Sequence, residues 1–101
     1  MSLHVNLPSA TISASTTSAR TAYPSSNLQF VRVFNEGTTT AYLKTGDSTV
    51  TATAGGGVFL GGGKSSIFQI GLNDTHLAAI LASGTGTIYF QNVSADELVG
   101  F

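Results

Sequence analysis

Cysteine and tryptophan are absent from this 101-residue chain, proline occurs twice, and charge is scarce. Without cysteine there is no disulfide framework and no thiolate metal site. Asp, Glu, Lys and Arg make up 9% of the residues, against about 25% in an ordinary soluble domain. Arg20, Arg32, Lys44 and Lys64 stand against Glu36, Asp47, Asp74, Asp96 and Glu97, for a net charge of −1. No basic cluster exists, so the electrostatic footprint of a nucleic-acid binder is missing. A polybasic segment for an anionic membrane is missing too. The longest apolar run, Leu77 to Ala82, is far too short to span a bilayer. Met1 to Asn6 carries neither a cationic region nor an apolar stretch of signal-peptide length, and the expectation is synthesis in the cytoplasm without a leader.

What the chain does have is glycine, serine, threonine and short β-branched runs. Leu3, Val5 and Leu7 alternate with His4 and Asn6, a strand with one buried face that Pro8 ends. Ser9 to Tyr23 is rich in Ser, Thr and Ala, a composition that also fits a disordered linker; its Thr alternation favours two weak strands near 10–15 and 18–23. Pro24 to Asn27 is a turn signal. Leu28 to Phe34 is the strongest strand: Leu28, Phe30 and Phe34 share one parity with Arg32, and Val31 and Val33 take the other. Both faces being largely apolar, it is expected to be central. Asn35–Gly37 turns, 40–45 is a strand, and 48–53 is expected to pair back on it. Glycine triplets at 55–57 and 61–63 bracket Val58–Leu60. Strands over 66–71, 76–82 and 87–91 follow, the last two joined by Ser83–Gly86 as a hairpin.

Eight or nine strands at this spacing predict an all-β, single-domain antiparallel β-sandwich, jelly-roll-like, with Gly-rich loops. Length allows one domain, 1–101, with weaker strands over 1–27, the core over 28–92 and a tail over 93–101. In that tail Leu98, Val99 and Phe101 follow the acidic pair Asp96–Glu97.

The order of pieces from residue 28 to 90 carries a resemblance. Val31-Arg32-Val33-Phe34-Asn35-Glu36-Gly37 is followed by Ala41-Tyr42-Leu43-Lys44 and by Gly46-Asp47-Ser48-Thr49-Val50-Thr51. A Gly-rich loop and a Phe-bearing strand come next, then Thr75 to Ile80 and Ser83 to Tyr89. This order resembles small structural proteins of tailed bacteriophages, found among head and capsid-associated components. The resemblance implies a virion role, a capsid decoration or cement protein on the capsid surface, made in the host cytoplasm. Its implied partner is the major capsid protein, and it implies no catalytic residue and no cofactor. Gly61–Gly63 and the longer apolar tail depart from that family's pattern, and both bear on how this member seats on its partner.

Candidate chemistry elsewhere weakens on inspection. His4 and His76 are the only imidazoles; Asp74 and His76 would share a strand face, but zinc wants three or four ligands, so a turn carboxylate beside a polar strand residue is preferred. No G-x-S-x-G elbow accompanies the many serines. Gly61-Gly62-Gly63-Lys64-Ser65 echoes a phosphate-binding loop, yet Val58 occupies the position where that motif needs its first glycine. No enzyme is expected.

Phe30, Phe34, Phe68 and Phe90 are expected in the core, and Tyr42 and Tyr89 at interfaces, where one end of the ring stays wet. Arg32 inside the strongest strand is expected at a contact or beside an acid. Leu98, Val99 and Phe101 complete the interface candidates. A low-charge surface suits a closed homo-oligomer, a trimer in preference to a dimer. The alternative function is a phage fibre head or a carbohydrate-binding β-sandwich module. Its discriminating feature is a platform of exposed aromatics beside Asn or Asp, and no such cluster is evident along the sequence.

Overall fold

The computed structural model describes residues 9–23, 30–71 and 73–93. The expected Leu3–Leu7 strand, the Pro24–Asn27 turn, Leu28 and the tail beyond Val93 lie outside the described residues. Among the described residues there are eight strands: β1 Ser9–Ala14, β2 Ala19–Ala22, β3 Phe30–Asn35, β4 Ala41–Gly46, β5 Val58–Leu60, β6 Ser65–Gln69, β7 His76–Leu81 and β8 Gly86–Val93. They form two four-stranded sheets, ordered β1-β8-β3-β6 and β2-β7-β4-β5. Every pairing is antiparallel. The pairs β1–β8, β2–β7, β3–β6 and β4–β5 are those of one long hairpin closed at β4–β5. Rolling that hairpin brings β8 against β3 and β7 against β4, which is the jelly-roll connection.

Period-two alternation sets which side chains meet between the sheets. Ile12 and Ala14 from β1, Val31 and Val33 from β3, and Ile88 and Phe90 from β8 point inward from the first sheet. Ala41 and Leu43 from β4, Leu60 from β5, and Leu77, Ala79 and Leu81 from β7 face them. Large side chains such as Phe90, Ile12 and Leu81 each contribute about 1.5–3 kcal/mol by leaving water. Tyr23 closes one end, its ring edge-on to Phe90 at 5.7 Å.

Four sequence expectations are corrected. Ser83–Gly86 does not close a hairpin: β7 and β8 belong to different sheets, and the segment carries the chain across the sandwich. Residues 48–53 form no strand. Asp47 starts an Asx-type turn, with Thr49 N and Oγ1 both donating to its carboxylate, at 2.8 and 2.6 Å, which lowers the Asp47 pKa. The loop then runs over the outer face of the second sheet. There Val50 and Ala52 cover Ala78 and pack on Ile80, and Ala52 N donates to Ser18 Oγ rather than to a ladder. The third concerns Phe30 and Phe34: both share the outward parity of β3, Phe30 half-buried and Phe34 38% exposed, and neither is core. Val93, placed at the start of the tail, is instead the last residue of β8, opposite Phe30.

Asn35 is buried at the end of β3 with all its side-chain groups used. Nδ2 donates to Thr39 O at 2.8 Å and Leu60 O at 3.0 Å, and Oδ1 accepts from Gly37 N at 2.9 Å. One amide thereby ties the β3–β4 connection to β5 in the opposite sheet. Gly62 lies so close to the 37–38 backbone that a Cβ would sit 2.6 Å from the Thr38 carbonyl carbon, which explains one glycine of the second triplet.

Candidate functional site

Arg32 lies between Phe30 and Phe34 in sequence, and the alternation makes their common face the outer one. On the neighbouring strand Tyr89 stands opposite Phe34, and Gln91 opposite Arg32. The Phe34 and Tyr89 rings stack with centroids 6.4 Å apart and planes 26° apart. Arg32 Nη2 donates to Gln91 Oε1 at 2.8 Å. The Glu36 carboxylate accepts a hydrogen bond from the Tyr89 hydroxyl and raises the Tyr89 pKa. Ser9, opposite Gln91 on β1, completes the rim of a shallow depression of about 260 Å³. Two of the chain's few charged groups, one of each sign, thus frame one pair of exposed rings.

The outer face of the second sheet carries a different patch. Phe59 on β5 stands opposite Tyr42 on β4, and Tyr42 opposite Ile80 on β7, so the three form one row across three strands. Phe59 is 71% exposed, while Tyr42 and Ile80 are half-buried. The 47–57 loop covers the neighbouring part of that face and leaves the Phe59 end open. The two aromatic patches therefore lie on opposite sides of the sandwich.

Between the sheets, beside the edge strands β5 and β6, a cleft of about 160 Å³ is lined by Val31, Leu43, Val58, Phe68 and Leu77. Lys44, Thr45, Gln69 and Tyr23 add polar groups to its wall, and the Tyr23 hydroxyl donates to Thr45 Oγ1 at 2.7 Å; Thr45 in turn donates to His76 O at 3.2 Å. Burial is the main cause that pushes the Tyr23 pKa up to about 12.

The other sequence candidates do not converge. Asp74 Oδ2 accepts from Gly71 N at 2.9 Å, and His76 Nδ1 lies 2.8 Å from Thr75 Oγ1. Among the described residues no group of three or more His, Cys, Asp or Glu could hold a metal ion. Gly61–Lys64 is a turn whose backbone bonds go to the chain itself, Lys64 N to Gly61 O and Gly63 N to Asn35 O, and a strand follows instead of a helix.

Of the interface candidates, Arg32 and Tyr89 are brought together on one outer face and Tyr42 sits on the other. Leu98, Val99 and Phe101 lie outside the described residues. Sequence reasoning missed Phe34 and Phe59. For Phe34 the signal was there: a residue sharing parity with a charged neighbour shares its face. For Phe59 the signal was its place in a three-residue strand between glycine triplets, too short to be covered on both sides. Comparison with protein-family models, with curated proteins and with solved structures finds no match to the chain.

Proposed function

We propose that this protein is a non-enzymatic decoration protein that seats on the outer surface of a phage capsid and strengthens it. The observation that carries the reading is the Phe59–Tyr42–Ile80 row with its exposed aromatic end. A 71% exposed phenylalanine is the kind of anchor that dominates protein interfaces when a partner's pocket desolvates it. The resemblance of residues 28–90 to head-associated phage proteins supports the same reading, as does the low charge of the chain. The partner is the major capsid protein, and the mechanism is mechanical. Each copy adds contacts that shell disassembly must break, and several copies joined in a closed ring, a trimer before a dimer, raise the effective affinity of all.

The test is co-sedimentation of the purified protein with preformed, undecorated capsids of its phage. Saturable binding with one copy count per capsid supports the reading; no binding to such capsids refutes it. Attachment of this kind depends little on charge, so it persists in about 1 M salt, where the Debye length is about 3 Å.

A further inference from the structure

We propose that the Phe34–Tyr89 face is a binding site for a neutral sugar, one pyranose ring of a glycan chain or its terminal residue. A pyranose has a face of C–H groups and a rim of hydroxyls. It needs a flat apolar platform with polar groups at the platform's edge. Phe34 and Tyr89 supply the apolar surface: two stacked rings, 26° from parallel with centroids 6.4 Å apart, left 38% and 40% exposed for the C–H face of a sugar to cover. Both rings are rigid side chains, so little conformational freedom is lost when a ligand covers them.

The edge is polar on several sides. Arg32 and Gln91, joined at 2.8 Å, lie one pair further along β3 and β8; Ser9 lies beyond them on β1. Glu36 stands at the Tyr89 hydroxyl. Guanidinium, carboxamide, hydroxyl and carboxylate are the groups that recognise vicinal hydroxyls. They also decide the charge of the ligand. One cation and one anion frame the rings, so the site is balanced and favours neither an anionic nor a cationic ligand. The depression, about 260 Å³, falls just below the roughly 300 Å³ at which ordinary ligand sites begin. That limits the site to about one sugar ring and to affinity in the millimolar range.

The site lies on the side of the sandwich opposite Phe59. A copy anchored by its second sheet would present its first sheet outward, where a host or environmental glycan can reach it. The sugar titration below uses no capsid, so its failure leaves the capsid reading standing.

The experiment is titration of the isotope-labelled full chain with cellobiose, N,N′-diacetylchitobiose and lactose, each to about 50 mM, followed by amide chemical shifts. At least one disaccharide is expected to shift amides of β3 and β8 saturably, with a Kd of order 1–10 mM. Tyr89→Ala and Phe34→Ala, each checked to keep a dispersed spectrum, weaken binding at least about tenfold. Tyr89→Phe keeps the platform and stays within about threefold, while Thr53→Ala on the opposite loop leaves it unchanged. Absence of saturable shifts with all three sugars overturns the proposal. So do shifts centred on β4 and β5, and binding that survives loss of either ring.

Discussion

Phe34 and Tyr89, 55 positions apart in the chain, stack at 6.4 Å on the outside of the first sheet rather than in the core. Their cross-strand pairing brings them together, and the buried row beneath, Val33 beside Phe90, does the work of stability. Truncating an exposed ring forfeits mainly the ring–ring contact, so Phe34→Ala and Tyr89→Ala each cost about 0.5–1.5 kcal/mol. Phe90→Ala, which opens a core cavity, costs about 3–5 kcal/mol. Urea unfolding at constant m-value separates the two classes.

Asn35 predicts a second contrast. Asn35→Ala strands two carbonyls and an amide and costs about 2–4 kcal/mol. Asn35→Asp keeps the acceptor for Gly37 N but turns the donor toward Thr39 O and Leu60 O into another acceptor. It is expected to be at least as damaging, and the same urea series reads it.

The pH dependence follows from Tyr23. Its pKa rises from 10.0 in the unfolded chain to about 12 in the fold, chiefly by burial. Between those values the unfolded state has lost the proton and the native state holds it. Stability is therefore full below pH 10 and falls as pH rises toward 12. Because the ring is partly exposed, solvent screening holds the loss to about 1–2 kcal/mol. Tyr23→Phe removes this slope while lowering stability at neutral pH, which thermal unfolding across pH 8–12 tests.

Two glycines separate close approach from backbone conformation. Gly62→Ala drives a Cβ to 2.6 Å from the Thr38 carbonyl carbon and 2.9 Å from Gly37 O, so backbone must shift, at about 2–3 kcal/mol. Gly84, with φ of 71° and open space around it, bears only the cost of a left-handed alanine, about 1–2 kcal/mol. Calorimetry of the two variants should rank them in that order.

The sequence made the fold class legible because strands such as β1 and β3 alternate cleanly. Thr11-Ile12-Ser13-Ala14 and Val31-Arg32-Val33 announce their buried faces residue by residue. It did not show sheet membership. Ser83-Gly84-Thr85-Gly86 is equally good as a hairpin turn or a crossover, and what decides is that Ile88 and Phe90 fill the first sheet's face while Leu77 and Leu81 fill the second's. Val50 and Ala52 alternate like strand residues, yet cover the outside of a sheet. The outward face of Phe34 was legible from its parity with Arg32, but its pairing with Tyr89 was not, because that exists only through the β3–β8 register.

The most direct test of the capsid reading is co-sedimentation of wild-type protein and Phe59→Asp with undecorated capsids in about 1 M salt. The side chain is 71% exposed, so the substitution leaves the fold intact, which a matched urea midpoint verifies. The account predicts saturable wild-type binding and a drop of at least about tenfold, roughly 1.4 kcal/mol, for the variant. Wild-type protein that stays in the supernatant, or a variant that binds as tightly as wild type, would contradict it.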